Sequence, residues 1–475
     1  MRSNIAGLAR EFLEAGCPAG SSVLKQLNSF AGNFNAVMRA LRPGPAARLA
    51  CGWHLKQPFK KPELAAKYPG EQLQYHVPRN YSPSRPAGLL LFMHGGGTAM
   101  ARDSGYKVYE KYGFTDIFEN CGRIVCFPCC PYNEKSFAGW NLESADEYLA
   151  DVVEELEYLF AIDPDNMILG GHSMGGLGAY HHAQRFADRF ASVLACAGAW
   201  DFGYWPSVKG ATMWLVQGIN DAWMFKRRHG SDIEFARLAR RRLLESGVEV
   251  MYREHSGSHA AENARPFIHE WLEWSRKKRR DPFYRHVVAV TPRGCTPWID
   301  FRRHKTPLAA GRSYVDFRDI PPSPHARWVS IDKIHHPKDT LVYDMVDMAP
   351  DPLRDRNEKD WNAYELKLRR KHIPGALVEA VARGDGVIEV APRNVERLTL
   401  WLHPKLVNFK NVRVIIRGKE RHNGPVRPSL ATMLESYRRR RDWGLLYPAK
   451  LSFEAEASWF EGDQMKLASK WRMKK

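Results

Sequence analysis

The feature that most constrains this chain is a short apolar run that ends in a glycine-flanked serine. Residues 167–176 read MILGGHSMGG, and Gly171, Ser173 and Gly175 fit the pattern G-x-S-x-G. In that motif the serine occupies a sharp, strained turn between a strand and a helix. The free N–H groups of the following helix point toward the serine, where negative charge would develop. A glycine-rich turn with an ordinary serine is the alternative interpretation.

Apolar runs alternate with helical patterns on both sides of this motif, which predicts a mostly parallel sheet with helices on both faces. The predicted buried strands are residues 88–94, 124–127, 167–170, 192–197, 212–217 and 249–254, and helices are expected over 144–160, 235–247 and 266–277. Residues 72–78 alternate apolar and polar side chains, as an exposed strand does. Beyond residue 280, short strand patterns separated by Pro, Gly and Asn predict a smaller β-rich, sandwich-like domain.

This alternation divides the chain into three predicted parts. Residues 1–70 carry short amphipathic helical patterns and are interpreted as an N-terminal helical extension. Residues 71–280 form the α/β domain, with a doubly wound, mostly parallel sheet. Residues 281–475 form a linker and the C-terminal β-rich domain. The basic run at 276–280 is expected to be a solvated helix end that leads into the linker.

Two residues later in the chain stand where partners of the serine are required. A serine hydroxyl becomes a nucleophile beside a base, usually a histidine that a carboxylate orients. In this architecture the acid and then the histidine follow the serine, in loops at the C-terminal ends of later strands. Asp221 and His259 follow the fifth and sixth predicted buried strands. We therefore predict Ser173 as nucleophile, Asp221 as acid and His259 as base, with Asp201 and His255 as the alternative acid and base.

The same chemistry needs backbone N–H groups that bind a developing oxyanion. The residue after the serine, Met174, supplies one such donor. A second is expected from the H-G-G-G turn after the first predicted buried strand, where Gly95, Gly96 and Gly97 let the backbone turn toward the site. His94 is expected to brace this loop through a hydrogen bond and not to transfer protons.

Composition narrows the functional classes. The formal net charge is +18, and most of the excess lies in residues 281–475. A basic surface can favour nucleic acid, anionic lipid or acidic polysaccharide, but no nucleic-acid-binding signature accompanies the charge, so no specific nucleic-acid partner is predicted. The chain has no apolar run long enough for a membrane span and no signal-peptide pattern, so a cytoplasmic location is the expectation.

Four of the eight cysteines cluster, at Cys121, Cys126, Cys129 and Cys130. A C-x2-C pair without a second spaced pair is a weak metal signature. Buried reduced thiols are the preferred interpretation, because free cysteine behaves as a small hydrophobe. No metal and no cofactor are predicted.

Several short motifs together resemble one family. They are YHVP at 75–78, HGGG at 94–97, IDPD at 162–165, GHSMGG at 171–176 and RFA at 189–191. With them, residues 71–280 resemble the α/β-hydrolase serine esterases grouped with polyhydroxybutyrate depolymerases, feruloyl and acetylxylan esterases and prolyl-oligopeptidase-like hydrolases. The resemblance implies the triad named above and a reaction through an acyl-enzyme. Where the family often has His-Gly before the acid, this chain has Gln217-Gly218.

The substrate is predicted only by class. Trp140, Trp200 and Trp223 lie in loops expected around the serine and could stack on a sugar or a phenolic acid, although ordinary packing is the alternative. Hydrolysis of small esters or of acylated carbohydrates, free or polysaccharide-linked, is the preferred function. A prolyl-oligopeptidase-like serine peptidase and a non-enzymatic binding scaffold are the alternatives. The sequence carries no signal for an oligomeric state.

Overall fold

The structure is a computed structural model that describes residues 5–16, 18–42, 44–45, 49–95, 104–130, 140, 143–198, 203–221, 231–291, 325–335, 340–350 and 364–455. Its helices are α1 (Ile5–Ala15), α2 (Ser22–Ser29), α3 (Phe34–Leu41), α4 (Pro62–Lys67), α5 (Ser104–Lys111), α6 (Thr115–Glu119), α7 (Glu143–Leu159), α8 (Met174–Arg185), α9 (Ser231–Glu245), α10 (Ala261–Ser275) and α11 (Leu430–Arg440). None of these described helices is long and apolar enough to cross a membrane.

Apolar runs in the first part of the chain form one twisted sheet of eight described strands. They are β1 (Gly52–Pro58), β2 (Gln72–Val77), β3 (Ala87–Met93), β4 (Ile124–Phe127), β5 (Ile162–His172), β6 (Ser192–Cys196), β7 (Thr212–Gly218) and β8 (Glu249–His255). The spatial order is β1-β2-β4-β3-β5-β6-β7-β8. The pairs from β4 to β8 are parallel, whereas β1 and β2 are antiparallel. The predicted α/β class is confirmed.

Both faces of this sheet are covered, which explains the continuous apolar runs. One apolar cluster contains Leu89 and Leu169 with side chains of α7 and α8, and a second, on the opposite face, contains Phe92 and Ile168 with side chains of α10. Because parallel strands end at one edge of the sheet, the residues that follow β3, β5, β7 and β8 meet there.

The N-terminal edge of the sheet differs from the sequence-based expectation. Strand β1 lies within residues 1–70, so part of the predicted extension belongs to the α/β domain. Strand β2 is buried and not exposed, since β1 and β4 cover both of its edges and Trp53 of β1 packs against His76. The polar side chains that suggested a solvated face, Gln74 and His76, are themselves buried.

The C-terminal part is a β-sandwich with an attached hairpin, as the strand patterns predicted. Its described strands are β9 (His286–Thr291), β10 (His325–Ala326), β11 (Val329–Ile334), β12 (Thr340–Pro350), β13 (Tyr364–Pro374), β14 (Ala376–Ala382), β15 (Val387–Arg393), β16 (Val395–Leu402), β17 (Val412–Ile416), β18 (Lys419–Gly424) and β19 (Ala449–Glu454). One sheet has the order β18-β17-β15-β14-β9 and the other β10-β11-β16-β19, while β12 and β13 pair with each other. The two sheets share one apolar core that contains Trp328 and Trp401.

The N-terminal helices belong with the far end of the chain. Ala9, Phe12 and Leu27 pack in one apolar cluster with Leu430 and Leu434 of α11. The helical extension is therefore docked on the C-terminal helix.

The predicted solvated run at 276–280 is wrong at its last residue. The Arg280 side chain is fully buried and pairs with Asp165 of the α/β domain and with Asp442 just after α11. Arg280 thus joins the two halves of the chain.

Candidate active site

The turn between β5 and α8 consists of Ser173, and it places this residue near the centre of the sheet's C-terminal edge. Its backbone has φ 59° and ψ −117°, a conformation that non-glycine residues rarely adopt. Such strain persists only when the surroundings impose it. Here the Ser173 N–H donates to Cys196 O at 2.9 Å, and the helix starts at the next residue.

Close backbone contacts explain the glycines of the motif. A Cβ atom on Gly171 would lie 2.3 Å from Gly175 O, and a Cβ atom on Gly175 would lie 2.2 Å from Met93 O. Neither oxygen belongs to a flexible side chain that could move aside. Glycine at both positions is therefore a packing requirement of the turn.

The structure brings Ser173, His259 and Asp221 together in one hydrogen-bonded chain. His259 Nε2 lies 2.8 Å from Ser173 Oγ, and His259 Nδ1 lies 2.9 Å from Asp221 Oδ2. Asp221 is fully buried, whereas the His259 side chain keeps 20% of its surface exposed. An imidazole between a hydroxyl and a carboxylate can take the hydroxyl proton while the carboxylate stabilises the cation that forms.

Backbone contacts join the loops that carry the acid and the base. Ile219 N–H donates to His255 O at 2.8 Å, and Asn220 N–H donates to Gly257 O at 3.2 Å. The alternative base, His255, is held elsewhere: its Nδ1 accepts from Gly257 N–H, and its ring stacks on Phe267. The alternative acid, Asp201, lies outside the described residues.

The groups predicted for an oxyanion hole are present in part. Met174 is the first residue of α8, so its N–H has no acceptor within the helix. A Cβ atom on Gly95 would lie 3.2 Å from Ser173 Cβ, which shows that this loop runs directly past the serine. Gly96 and Gly97 lie outside the described residues.

His94 braces this loop from a buried position. Cys130 N–H donates to His94 Nε2 at 3.0 Å, so Nδ1 carries the hydrogen and donates to Gly95 O at 2.8 Å. Burial lowers the pKa of His94, which keeps the ring neutral.

Trp140 differs from the prediction that it stacks on substrate. It is fully buried, and its indole N–H donates to His94 O at 3.0 Å. Its ring packs against His94 at 5.4 Å between centroids. Trp140 thus supports the loop and presents no ring face to a ligand in this structure. Trp200 and Trp223 lie outside the described residues.

The clustered cysteines occupy buried positions. Cys121, Cys126, Cys129 and Cys130 are all buried, and burial raises the pKa of the Cys126 thiol. This is the environment expected of small apolar side chains.

Among the described residues, one buried group could hold a metal: Asp146, His181 and His182, away from the serine. Its carboxylate already has side-chain partners, since Arg185 Nε lies 2.6 Å from one oxygen and His181 Nε2 lies 2.8 Å from the other. We therefore interpret this group as an ion-pair network between α7 and α8.

Part of the chain is similar to known proteins. Residues 71–242 match the family model named Esterase and described as "Putative esterase". This segment is therefore similar to an esterase family. The matched residues include Gly95, the turn at Ser173 and the loop at Asp221, whereas His259 follows them in the chain.

One curated relative and several solved structures are similar to parts of the chain. The bifunctional acetylxylan esterase/xylanase XynS20E of Neocallimastix patriciarum is 25% identical over 154 residues, which are 32% of this chain and 22% of that protein. A thermostable esterase is 22% identical, with 48% of this chain and 63% of that chain covered and a TM-score of 0.35. The S-formylglutathione hydrolase FrmB of Staphylococcus aureus is 16% identical, with 49% and 100% covered and a TM-score of 0.35. TM-scores of this size carry no argument about the fold, which rests on the topology described above.

Two polar contacts of the esterase domain were not foreseen from the sequence. His172 Nε2–H donates to His259 O at 3.1 Å, and burial lowers the pKa of His172 to about 3, so this ring stays neutral. Gln217 Nε2–H donates to Asp221 Oδ2 at 2.7 Å. The sequence signal for the second contact was Gln217 itself, the single polar residue that ends the apolar run MWLVQ directly before the loop that carries Asp221.

Proposed function

We propose that this protein hydrolyses carboxylic esters through an acyl-enzyme on Ser173, with His259 as general base and acid and Asp221 as the orienting carboxylate. The observation that carries the proposal is the continuous chain from Ser173 Oγ through His259 to Asp221 Oδ2, with contacts of 2.8 and 2.9 Å. It is supported by the strained backbone of Ser173, since strain of this kind is kept at functional sites.

The reaction would run in two steps. Ser173 Oγ attacks the ester carbonyl carbon while His259 Nε2 takes the hydroxyl proton. The negative oxygen of the tetrahedral intermediate accepts hydrogen bonds from Met174 N–H and from the loop that begins at Gly95. The C–O bond to the alcohol breaks, and His259 returns the proton to the leaving oxygen. Water then attacks the acyl carbon by the same route and releases the acid.

The surroundings favour this charge separation. Asp221 is shielded from water, so its charge acts on His259 through a medium of low dielectric. Each backbone donor to the oxyanion is expected to contribute about 3–4 kcal/mol to the transition state. No step needs a metal ion or an organic cofactor.

The proposed substrates are short acyl esters, above all acetyl groups on carbohydrates. The argument for carbohydrate is the similarity of 154 residues to a protein named as an acetylxylan esterase. Since the matched region is a minor part of that relative, the substrate class is assigned to the esterase domain alone.

Substitution of the nucleophile tests the reaction. Ser173→Ala should lower kcat for p-nitrophenyl acetate by at least about 10³-fold, because it removes the hydroxyl that lies 2.8 Å from His259 Nε2. Ser84→Ala, in an exposed turn, is the matched control and should keep full activity. Equal activity of the two variants would remove Ser173 from the reaction. Acetylated xylo-oligosaccharides, feruloyl esters and peptide amides, assayed in parallel, separate esterase from peptidase.

A further inference from the structure

We propose that Trp140 is a positioning residue for the oxyanion hole, because it holds the peptide between His94 and Gly95 in one orientation. The inference rests on the proposed function of Ser173, since an oxyanion arises only in that reaction. It gives Trp140 a role in the rate of the reaction instead of the substrate contact that the sequence suggested.

Two consecutive carbonyl oxygens of the loop beside Ser173 are held by side-chain donors. Trp140 Nε1–H donates to His94 O at 3.0 Å, and His94 Nδ1–H donates to Gly95 O at 2.8 Å. Trp140 is 0% exposed and His94 is 1% exposed, so both donors lie on the buried side of the loop. Because a trans peptide carries its C=O and N–H on opposite sides, the contact with Trp140 also fixes the direction of the Gly95 N–H.

A third donor holds the end of β3 just before this loop. The Tyr109 hydroxyl donates to Met93 O at 2.8 Å, and burial raises the pKa of Tyr109, so the hydroxyl keeps its hydrogen. Burial also lowers the pKa of His94, which keeps that ring neutral. The groups that hold the three carbonyls therefore keep their charge state over the pH range of an activity assay.

Trp140 also packs against the helix that carries the other oxyanion donor. A Cβ atom on Gly178 of α8 would lie 2.5 Å from Trp140 Cβ, so the tryptophan can approach this helix only at a glycine. Met174, whose N–H is the donor on this side, is the first residue of α8. Trp140 thus contacts both the loop and the helix between which the oxyanion would bind.

We expect the orientation of the loop peptide to matter more in the transition state than in the bound ester. The ester carbonyl oxygen carries a partial charge, whereas the tetrahedral intermediate places a full negative charge on it, which strengthens bonds from aligned N–H groups. Loss of an entire oxyanion donor lowers kcat by about 10²–10³-fold. A donor that is present but no longer held in line should cost less, about 10-fold, since a hydrogen bond weakens as its angle departs from linearity.

The test separates kcat from KM in Trp140→Phe, which keeps a flat ring but removes the indole N–H. Its kcat for p-nitrophenyl acetate, per active site titrated with diisopropyl fluorophosphate, should fall about 10-fold, while KM changes by less than about 2-fold. The dissociation constant of butylboronic acid, measured by calorimetry, should rise by a similar factor of about 10. Ser173 Oγ adds to the boron of this compound and gives a tetrahedral anion that resembles the intermediate.

Two further chains make the result independent of folding. Trp328→Phe is the matched control, because Trp328 is also fully buried and its indole N–H donates to Tyr284 O at 2.8 Å, but in the core of the C-terminal sandwich. It should lower Tm, as Trp140→Phe should, and leave kcat and the boronic acid constant unchanged. Benzothienylalanine in place of Trp140 keeps the shape of the ring and lacks only the N–H, so it should reproduce the effect of Trp140→Phe with less loss of stability.

The outcomes that would overturn the proposal are distinct from failure of the proposed function. An unchanged boronic acid constant in both Trp140 chains, an equal rise in Trp328→Phe, or a rise in KM with kcat unchanged would overturn it. If the wild type binds the boronic acid but hydrolyses no tested ester, the proposed substrate class fails, while the boronic acid constants still decide the role of Trp140. A wild type that neither hydrolyses an ester nor binds the boronic acid would remove the proposed function, and this inference with it.

Discussion

Replacement of Arg280 by methionine should destabilise the protein more than any other single loss of a salt bridge between the halves of the chain. The guanidinium is 0% exposed and binds both oxygens of Asp442 at 2.6 Å. It also donates to Asp165 Oδ1 at 2.8 Å and to Asp188 O at 2.9 Å. Methionine fills much of the same volume but leaves the Asp442 carboxylate buried and without its cation.

The magnitude follows from that uncompensated charge. Breaking a buried, hydrogen-bonded ion pair by removal of one partner costs about 3–5 kcal/mol. For a folded unit of about 200 residues this corresponds to a fall in Tm of roughly 6–20 °C. The neighbouring Arg279 is the matched control: its side chain is 53% exposed and lies 3.2 Å from Asp163. Arg279→Met should cost about 0–1 kcal/mol, as exposed pairs do.

The dependence on pH has a defined sign. Burial opposes ionisation of Asp442, but the charge and hydrogen bonds of Arg280 lower its pKa below the ordinary value. The pair therefore stabilises the wild type above the unfolded-state pKa of about 3.9, and this contribution is lost as the pH falls through the folded-state pKa. The difference in Tm between the wild type and Arg280→Met should narrow below about pH 4.

The assay is scanning calorimetry of the full chain at several pH values, with urea unfolding as a second measurement. The double variant Arg280→Met/Asp442→Asn should recover part of the loss, because asparagine removes the charge and keeps an acceptor for Gly444 N–H. A cost below about 1 kcal/mol for Arg280→Met, or a double variant less stable than the single one, would refute the reasoning.

Three further predictions concern the site and its support. His172→Phe should lower kcat/KM for p-nitrophenyl acetate by about 10-fold, because the base loop loses the hydrogen bond to His259 O; an unchanged value would contradict this role. Gly175→Ala should lower the yield of soluble protein and its Tm, since the new Cβ would meet Met93 O, while Gly384→Ala, with nothing within 4 Å, should be neutral. Truncation after residue 280 should yield aggregated protein, because it removes α11, on which the N-terminal helices pack, and Asp442; a soluble, fully active fragment would contradict that expectation.

The placement of Ser173, Asp221 and His259 at one edge of the sheet could be predicted because the ends of the strands can be recognised in this sequence. The run before Ser173 is apolar and ends in glycines that the structure needs for close backbone contact. Asp221 and His259 both follow apolar runs, in the chain order that the architecture requires, and parallel pairing brings the ends of those runs to one edge. The prediction therefore rested on topology and needed no knowledge of side-chain contacts.

The incorrect predictions share a physical cause. Packing partners outside the local sequence decide whether each side chain is buried. Gln74 and His76 suggested a solvated strand, but Trp53 of β1 packs against His76, and Gln74 contacts Cys129. The β1 segment GWHLKQP carries no clear strand periodicity of its own. In the sequence, Arg280 is one more charge in a basic run. Its buried partner, Asp442, lies more than a hundred residues later in the chain. The sequence around Trp140 does not distinguish a ring that stacks on a sugar from one that, as here, packs under a loop.

The central claim is that Ser173 is made nucleophilic by His259, and covalent labelling tests it most directly. Diisopropyl fluorophosphate should modify the wild-type chain at one residue, and peptide mapping by mass spectrometry should place the label on Ser173. Ser173→Ala should take up no label, and His259→Ala should react far more slowly. Labelling of a different serine, or equal labelling of the wild type and His259→Ala, would contradict the account.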